Sequence, residues 1–216
     1  MLSLAIGQRV REVLCIGAHC DDIEIGCGGA LLQLAEANPA LSITLATFTS
    51  DATRAAESRA AVAKLLGSGR EVRLETYAFR NSYFPAQWAD IKAQMEALRA
   101  TVQPDLVFTH FERDRHQDHR VLSELTWNAF RDHLVLEFEI AKYDGDLGAP
   151  NCFVPLAKAT VDRKLDTLLT CYPSQAKKPW FTADAFAGLM RLRGIECQAP
   201  SGFAEGFYAR KICLGA

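Results

Sequence analysis

The chain has 216 residues, 49% of them hydrophobic and 23% charged, with a formal net charge of −2. Those proportions suit one globular domain with a substantial core. The near-neutral balance excludes a general attraction to nucleic acid or anionic membrane, and no apolar run approaches the ~20 residues that span a bilayer.

The opening "MLSLAIGQRVREVL" has only a short apolar run and no basic start, so it does not read as a secretory signal. Glu12–Ala18 reads as a buried strand and Gly28–Asn38 as the helix after it, entered through glycines and stopped by Asn38-Pro39. Leu41–Phe48 is a second strand. Thr53–Gly67 is an alanine-rich helix closed by a glycine. Glu71–Phe79 is a third strand, Pro85–Val102 a helix with proline near its start, and Pro104–His110 a short apolar strand. Asp118–His133 is a helix and Leu134–Ile140 a strand.

Beyond Tyr143 the pattern thins: a strand at Cys152–Leu156, helices at Leu165–Tyr172 and Asp184–Gly194, and a closing strand at Gly206–Leu214. Strand–helix alternation predicts an α/β fold, a single domain over 1–216 with a mainly parallel sheet flanked by helices. Residues 1–140 form its core, and 141–216 supply pocket walls and closing elements. Seven cysteines, with no CxxC pair, fit reduced thiols and a cytoplasmic location.

Two polar clusters fall where strands end, the place where open α/β sheets bind ligands. The first is "AHCDD", residues 18–22; the second is "HFERDRHQDHR", residues 110–120. Alone, the first is an acidic helix start and the second a chance pair of histidines. If their strands are neighbours, His19, Asp22 and His119 make a two-histidine, one-carboxylate set suited to a catalytic zinc with a fourth position for water. Iron(II), cobalt(II) or nickel(II) would fit the same donors. Asp21 is then free to accept a proton from water, and Asp118 can hold an imidazole N–H. Cys20 and Cys27 read as packing residues, with Cys20 a lesser candidate ligand; His110 and His133 read as structural. "GCGG" lacks the spacing of a dinucleotide loop, and no serine sits in a nucleophile elbow.

The pair "AHCDDIEIGCGG" and "DRHQDHR", with "TRAAESRAAVAKLLG" between them and "PDLVFTH" before the second, resembles the LmbE-like or PIG-L family of zinc-dependent N-deacetylases. The resemblance implies a Rossmann-like fold and one zinc per chain on His19, Asp22 and His119. It makes Asp21 the general base, His116 the oxyanion stabiliser with Asp118 its orienting partner, and Arg54 a substrate-binding residue. The substrate it implies is a small N-acetylated sugar or sugar conjugate, on an N-acetylglucosamine pattern. Cys20 stands where the family has proline, and the loop "FRNSYFP" lacks the family's acidic residue for sugar hydroxyls. An amidase acting on another N-acyl, thiol or antibiotic conjugate, and a non-catalytic metal- or sugar-binding protein, are the alternatives. Nothing in the sequence identifies a surface for a homo-oligomer.

Overall fold

The computed structural model describes residues 4–213. Its elements in chain order are β1 (Glu12–Gly17), α1 (Asp22–Ala37), β2 (Ser42–Thr47), α2 (Ala52–Leu66), β3 (Arg73–Thr76), α3 (Trp88–Arg99), β4 (Leu106–His110) and α4 (Gln117–Ala129). There follow β5 (Leu134–Phe138), β6 (Cys152–Pro155), α5 (Lys158–Cys171), α6 (Ala183–Glu196) and β7 (Ala204–Ala209). A 3₁₀ turn, Phe84–Gln87, leads into α3, and another, Pro173–Gln175, follows α5.

All seven strands form one sheet in the order β3-β2-β1-β4-β5-β7-β6. The first five run parallel, and β7 is antiparallel to both β5 and β6. Two-residue alternation sends the side chains of β1 to opposite faces. Val13 and Cys15 join a core with α1, α2 and the aromatics Tyr172, Phe181 and Phe186. Leu14 and Ile16 join a second core with α3 and α4, through Ile91, Met95, Leu122 and Leu125. Burial on both faces explains why these strands read as continuous apolar runs.

The strand order reverses between β1 and β4, which pair in parallel from Val13↔Leu106 to Cys15↔Phe108. The crevice at that switch point holds both polar clusters.

The mainly parallel α/β fold expected from the sequence is the one observed, and the differences lie at element ends. α1 begins at Asp22, six residues before the predicted Gly28, because its glycines are packing positions and not breakers. A Cβ on Gly26 would lie 2.3 Å from the Phe138 ring, and one on Gly29 2.8 Å from Leu156. α5 begins at Lys158, not Leu165, since its buried face includes Thr160, Lys164 and Thr167, which break the apolar pattern. The closing strand runs 204–209 and not 206–214, and Leu214 lies outside the described residues. Among the described residues no helix is long and apolar enough to cross a membrane.

Candidate active site

β1 ends at Gly17, and the chain crosses residues 18–21 to enter α1. Asp22 turns back and accepts a hydrogen bond from the His19 backbone N–H at 2.7 Å, which sets both residues on the inner side of the loop. β4 ends at His110, whose Nε2 accepts from the Ala18 N–H at 2.9 Å. That bond ties the exits of β1 and β4 together. Its cost is visible too: with Nε2 accepting, the proton rests on Nδ1, which is buried without a partner. Beyond the turn at 111–115, His116 caps α4, its Nδ1 accepting from the Asp118 N–H at 3.3 Å.

Three ligating atoms from the two clusters form a near-equilateral triangle. His19 Nδ1 lies 3.2 Å from Asp22 Oδ2 and 3.2 Å from His119 Nε2, and the last two are 3.5 Å apart. Donors about 2.0–2.1 Å from a tetrahedral ion lie about 3.3 Å from one another. The triangle therefore has the size of one face of such a shell. Two overlapping groupings share the place, His19–His116–His119 and Asp22–His110–His119. The second is less apt, because the His110 Nε2 lone pair is already given to Ala18.

Each imidazole is oriented by its far nitrogen. His119 Nδ1 donates to Asp114 Oδ2 at 2.9 Å, with both residues buried. His19 Nε2 faces Asn81 Oδ1 at 3.1 Å and Asp118 Oδ2 at 3.4 Å. Such outer partners turn the other nitrogen of each ring toward the shared centre, where a neutral ring offers a lone pair. Burial pulls the His119 pKa down, and the stacked His110 ring beside it adds to that, so that it falls to about 3. Burial also opposes charge on His19, but Asp22, Asp118 and Asp21 outweigh it and lift the pKa to about 10. Despite their burial, Asp22 and Asp118 are held below the usual carboxylate range by facing imidazoles, and for Asp118 also by backbone N–H groups.

Asp21 is 4% exposed. Its Oδ1 meets Arg54 Nη2 at 2.9 Å, while its Oδ2 has no partner. Burial raises its pKa, and Arg54 restrains that rise. Arg54 is itself anchored, with Nη1 donating to Glu57 Oε2 at 2.8 Å and to Ser174 Oγ at 3.0 Å.

A family model described as "PIG-L: GlcNAc-PI de-N-acetylase" matches residues 14–130, more than half of the chain. The chain belongs to the PIG-L family. An Escherichia coli (strain K12) relative named "Uncharacterized deacetylase YaiS" is 31% identical over 138 residues, 59% of this chain and 72% of the relative. Among solved structures, the N,N'-diacetylchitobiose deacetylase of Pyrococcus horikoshii superposes with a TM-score of 0.71 at 19% identity, covering 96% of this chain and 87% of that one. GalB of Pseudomonas putida KT2440, a 4-carboxy-2-hydroxymuconate hydratase, superposes at 0.76 with 16% identity, covering 95% and 98%. At these identities the structural likeness concerns the fold alone.

The crevice thus brings together His19, Asp21, Asp22, His116, Asp118 and His119 from two strand ends. The contacts of two of the expected residues add to or differ from those anticipated. The Asp118 carboxylate does not orient His116: it accepts from Ser82 N at 2.6 Å and Phe84 N at 3.1 Å and faces His19. The α4 helical turn points it to that loop, so only its backbone meets His116. Burial lowers the His116 pKa, and the nearby His19 lowers it further. Arg54, expected to bind substrate, is paired with Asp21 and Glu57. Cys20 points away from the ligating atoms, toward Ser50 Oγ at 3.2 Å.

Asn81, Asp114 and His110 were not singled out by the sequence as functional. His110 carried a weak signal, as the polar end of an apolar strand. Asp114 had one too, lying five residues before a candidate ligand. Asn81 had none, because its approach depends on a loop in which Ser82 adopts a positive φ of 65°.

Proposed function

We propose that this PIG-L protein is a metal-dependent N-deacetylase that releases acetate from an N-acetylglucosamine-type amino sugar or its conjugate. The observation that carries the reading is the triangle of His19 Nδ1, Asp22 Oδ2 and His119 Nε2, at 3.2–3.5 Å, beside the buried and unpartnered oxygen of Asp21. His19, Asp22 and His119 would hold the ion, zinc first and iron(II) or another divalent metal on the same donors. Bound there, the ion polarises an amide carbonyl and makes water acidic near neutral pH.

The chain's own residues carry out the remaining steps. Asp21 Oδ2 accepts a proton as water adds to the amide carbon, and returns it to the nitrogen as the C–N bond breaks. Its raised pKa suits both halves of that exchange. Arg54 occupies the other Asp21 oxygen and so fixes which one reacts. His116 accepts at Nδ1, so in its neutral form it carries its proton on Nε2 and donates from there to the tetrahedral oxyanion. The products are acetate and a free amine. The family and the names of its relatives support the acetamide, and the chitobiose deacetylase supports a sugar acceptor.

The test is acetate release from a panel of N-acetylated amino sugars and conjugates, with Asp21→Asn alongside. Release that chelator abolishes and the variant nearly loses is the expected outcome. Equal release by both proteins removes Asp21 as the base. Metal binding at one per chain without release from any sugar moves the reading to another N-acyl amide.

A further inference from the structure

Asp114 is a hub in the wall of the site. Its Oδ2 accepts from His119 Nδ1 at 2.9 Å, and its Oδ1 accepts from the His116 backbone N–H at 2.8 Å. The third donor comes from a distant part of the chain: Lys142 Nζ lies 3.0 Å from Asp114 Oδ1. Lys142 sits beyond β5 and beyond the residues 14–130 that the family model matches. Its side chain is 6% exposed, an unusual state for a lysine, and Asp114 is 2% exposed. The ammonium also meets Asp146 Oδ2 at 2.6 Å, and that carboxylate accepts from the Arg115 N–H at 2.7 Å. One buried cation thus binds two buried carboxylates that flank the segment 114–116.

We propose that Lys142 is a positioning residue for His119, acting through Asp114. This inference rests on the reading of His119 as a metal ligand. The Lys142 ammonium and the His116 N–H both meet Asp114 Oδ1, which fixes the carboxylate plane and leaves Oδ2 aimed at His119 Nδ1. A carboxylate held in that plane keeps the His119 N–H outward and its other nitrogen toward the centre of the triangle. Asp146 completes the lysine's shell and ties down the loop that carries it, but does not touch Asp114 or the histidines.

The experiment measures the affinity of the full-length protein for zinc by competition with a chromophoric chelator, for wild type, Lys142→Met, Lys142→Arg and Asp146→Asn. Melting of the chelator-treated proteins reports folding. Lys142→Met is expected to weaken zinc binding about 10-fold, toward the low end of what outer partners of a ligand contribute. Lys142→Arg recovers most of that loss, and Asp146→Asn binds zinc as wild type does. Wild-type affinity in a folded Lys142→Met overturns the inference. Equal losses in Lys142→Met and Asp146→Asn also overturn it, since the lysine would then act only by anchoring its loop. If Lys142→Met does not fold, reduced affinity in Asp146→Asn still counts against it. Wild-type protein that binds no zinc removes the metal reading itself, and the inference with it.

Discussion

His19 and His119 approach within 3.2 Å, nitrogen to nitrogen, yet their surroundings hold them in opposite protonation states. His119 sits in the first turn of α4, fully enclosed, with its orienting carboxylate five residues earlier in the same segment. Burial beside His110 drives its pKa to about 3, so it stands neutral and ready to ligate. His19 is partly exposed on the β1 loop and is steadied from two other segments, by Asn81 and Asp118. The carboxylates around it outweigh the cost of burial and raise its pKa to about 10, so in metal-free protein a proton balances them. The carboxylate that orients His119 comes from its own segment; the groups that steady His19 come from two others. On the proposed metal reading, a cation placed between the two histidines would replace that proton.

The largest effect expected separates chemistry from binding. Asp21→Asn, on the same loop as His19, lowers turnover about 10²–10⁴-fold while zinc still binds at one per chain. Loss of zinc in that variant would mean that the β1 half does not distinguish base from ligand. Next come the two orienting groups. Asp114→Asn weakens zinc binding about 10–100-fold, the range for outer-shell partners. Asn81→Ala costs less than about 10-fold, because Asp118 remains 3.4 Å from the same His19 nitrogen. Equal losses in chelator competition would erase the distinction between a local and a distributed support.

Proton linkage sharpens the comparison further. At pH 7 His19 is protonated, so zinc binding releases about one proton and tightens about tenfold for each pH unit toward 10. Calorimetry in buffers of different ionisation heat counts that proton, and none released would contradict the His19 assignment. Stability of the metal-free protein carries both signs. The folded pKa of His19 is raised above 6.5, so its contribution is full below pH 6.5 and lost as pH rises to about 10. That of His119 is lowered, so its contribution is full above pH 6.5 and lost as pH falls toward 3. Melting of chelated protein is therefore expected to peak near neutrality; a monotonic profile would refute one of the two assignments.

The smallest effects concern the seat of the β1 half. Gly26→Ala forces α1 off the Phe138 ring and is expected to cost about 1–3 kcal/mol by denaturant titration. Gly28→Ala has its nearest contact at 3.4 Å, an ordinary packing distance, and gains up to about 1 kcal/mol of helix propensity. The reverse order would mean that α1 is not seated as described.

These contrasts explain what the sequence could and could not reveal. That His19, Asp22 and His119 come together, and the need for β1 and β4 to be neighbours, were legible because unlike chemistries clustered at two strand ends. The glycines of α1 misled, because a glycine that admits a neighbour's ring looks the same in sequence as one that breaks a helix. Asp118 was seen but assigned the wrong partner, since its role depends on where residues 82–84 run. Asn81 and Lys142 act from other segments, and no local pattern marks a residue whose partner is chosen by tertiary contact. The buried threonines and lysine of α5 hid its first two turns for the same reason.

The pairing of β1 with β4 also decides when the site exists. His19 and His119 are 100 residues apart in the chain, so the donors meet only after a closure that spans nearly half of it. Loop closure on that scale comes late in a folding reaction, because its entropy must be met before the contacts repay it. On the proposed metal reading, a divalent ion would find only fragments of its site on the unfolded chain. It would load onto the finished sheet and stabilise by mass action, holding the native state together more than hastening its formation.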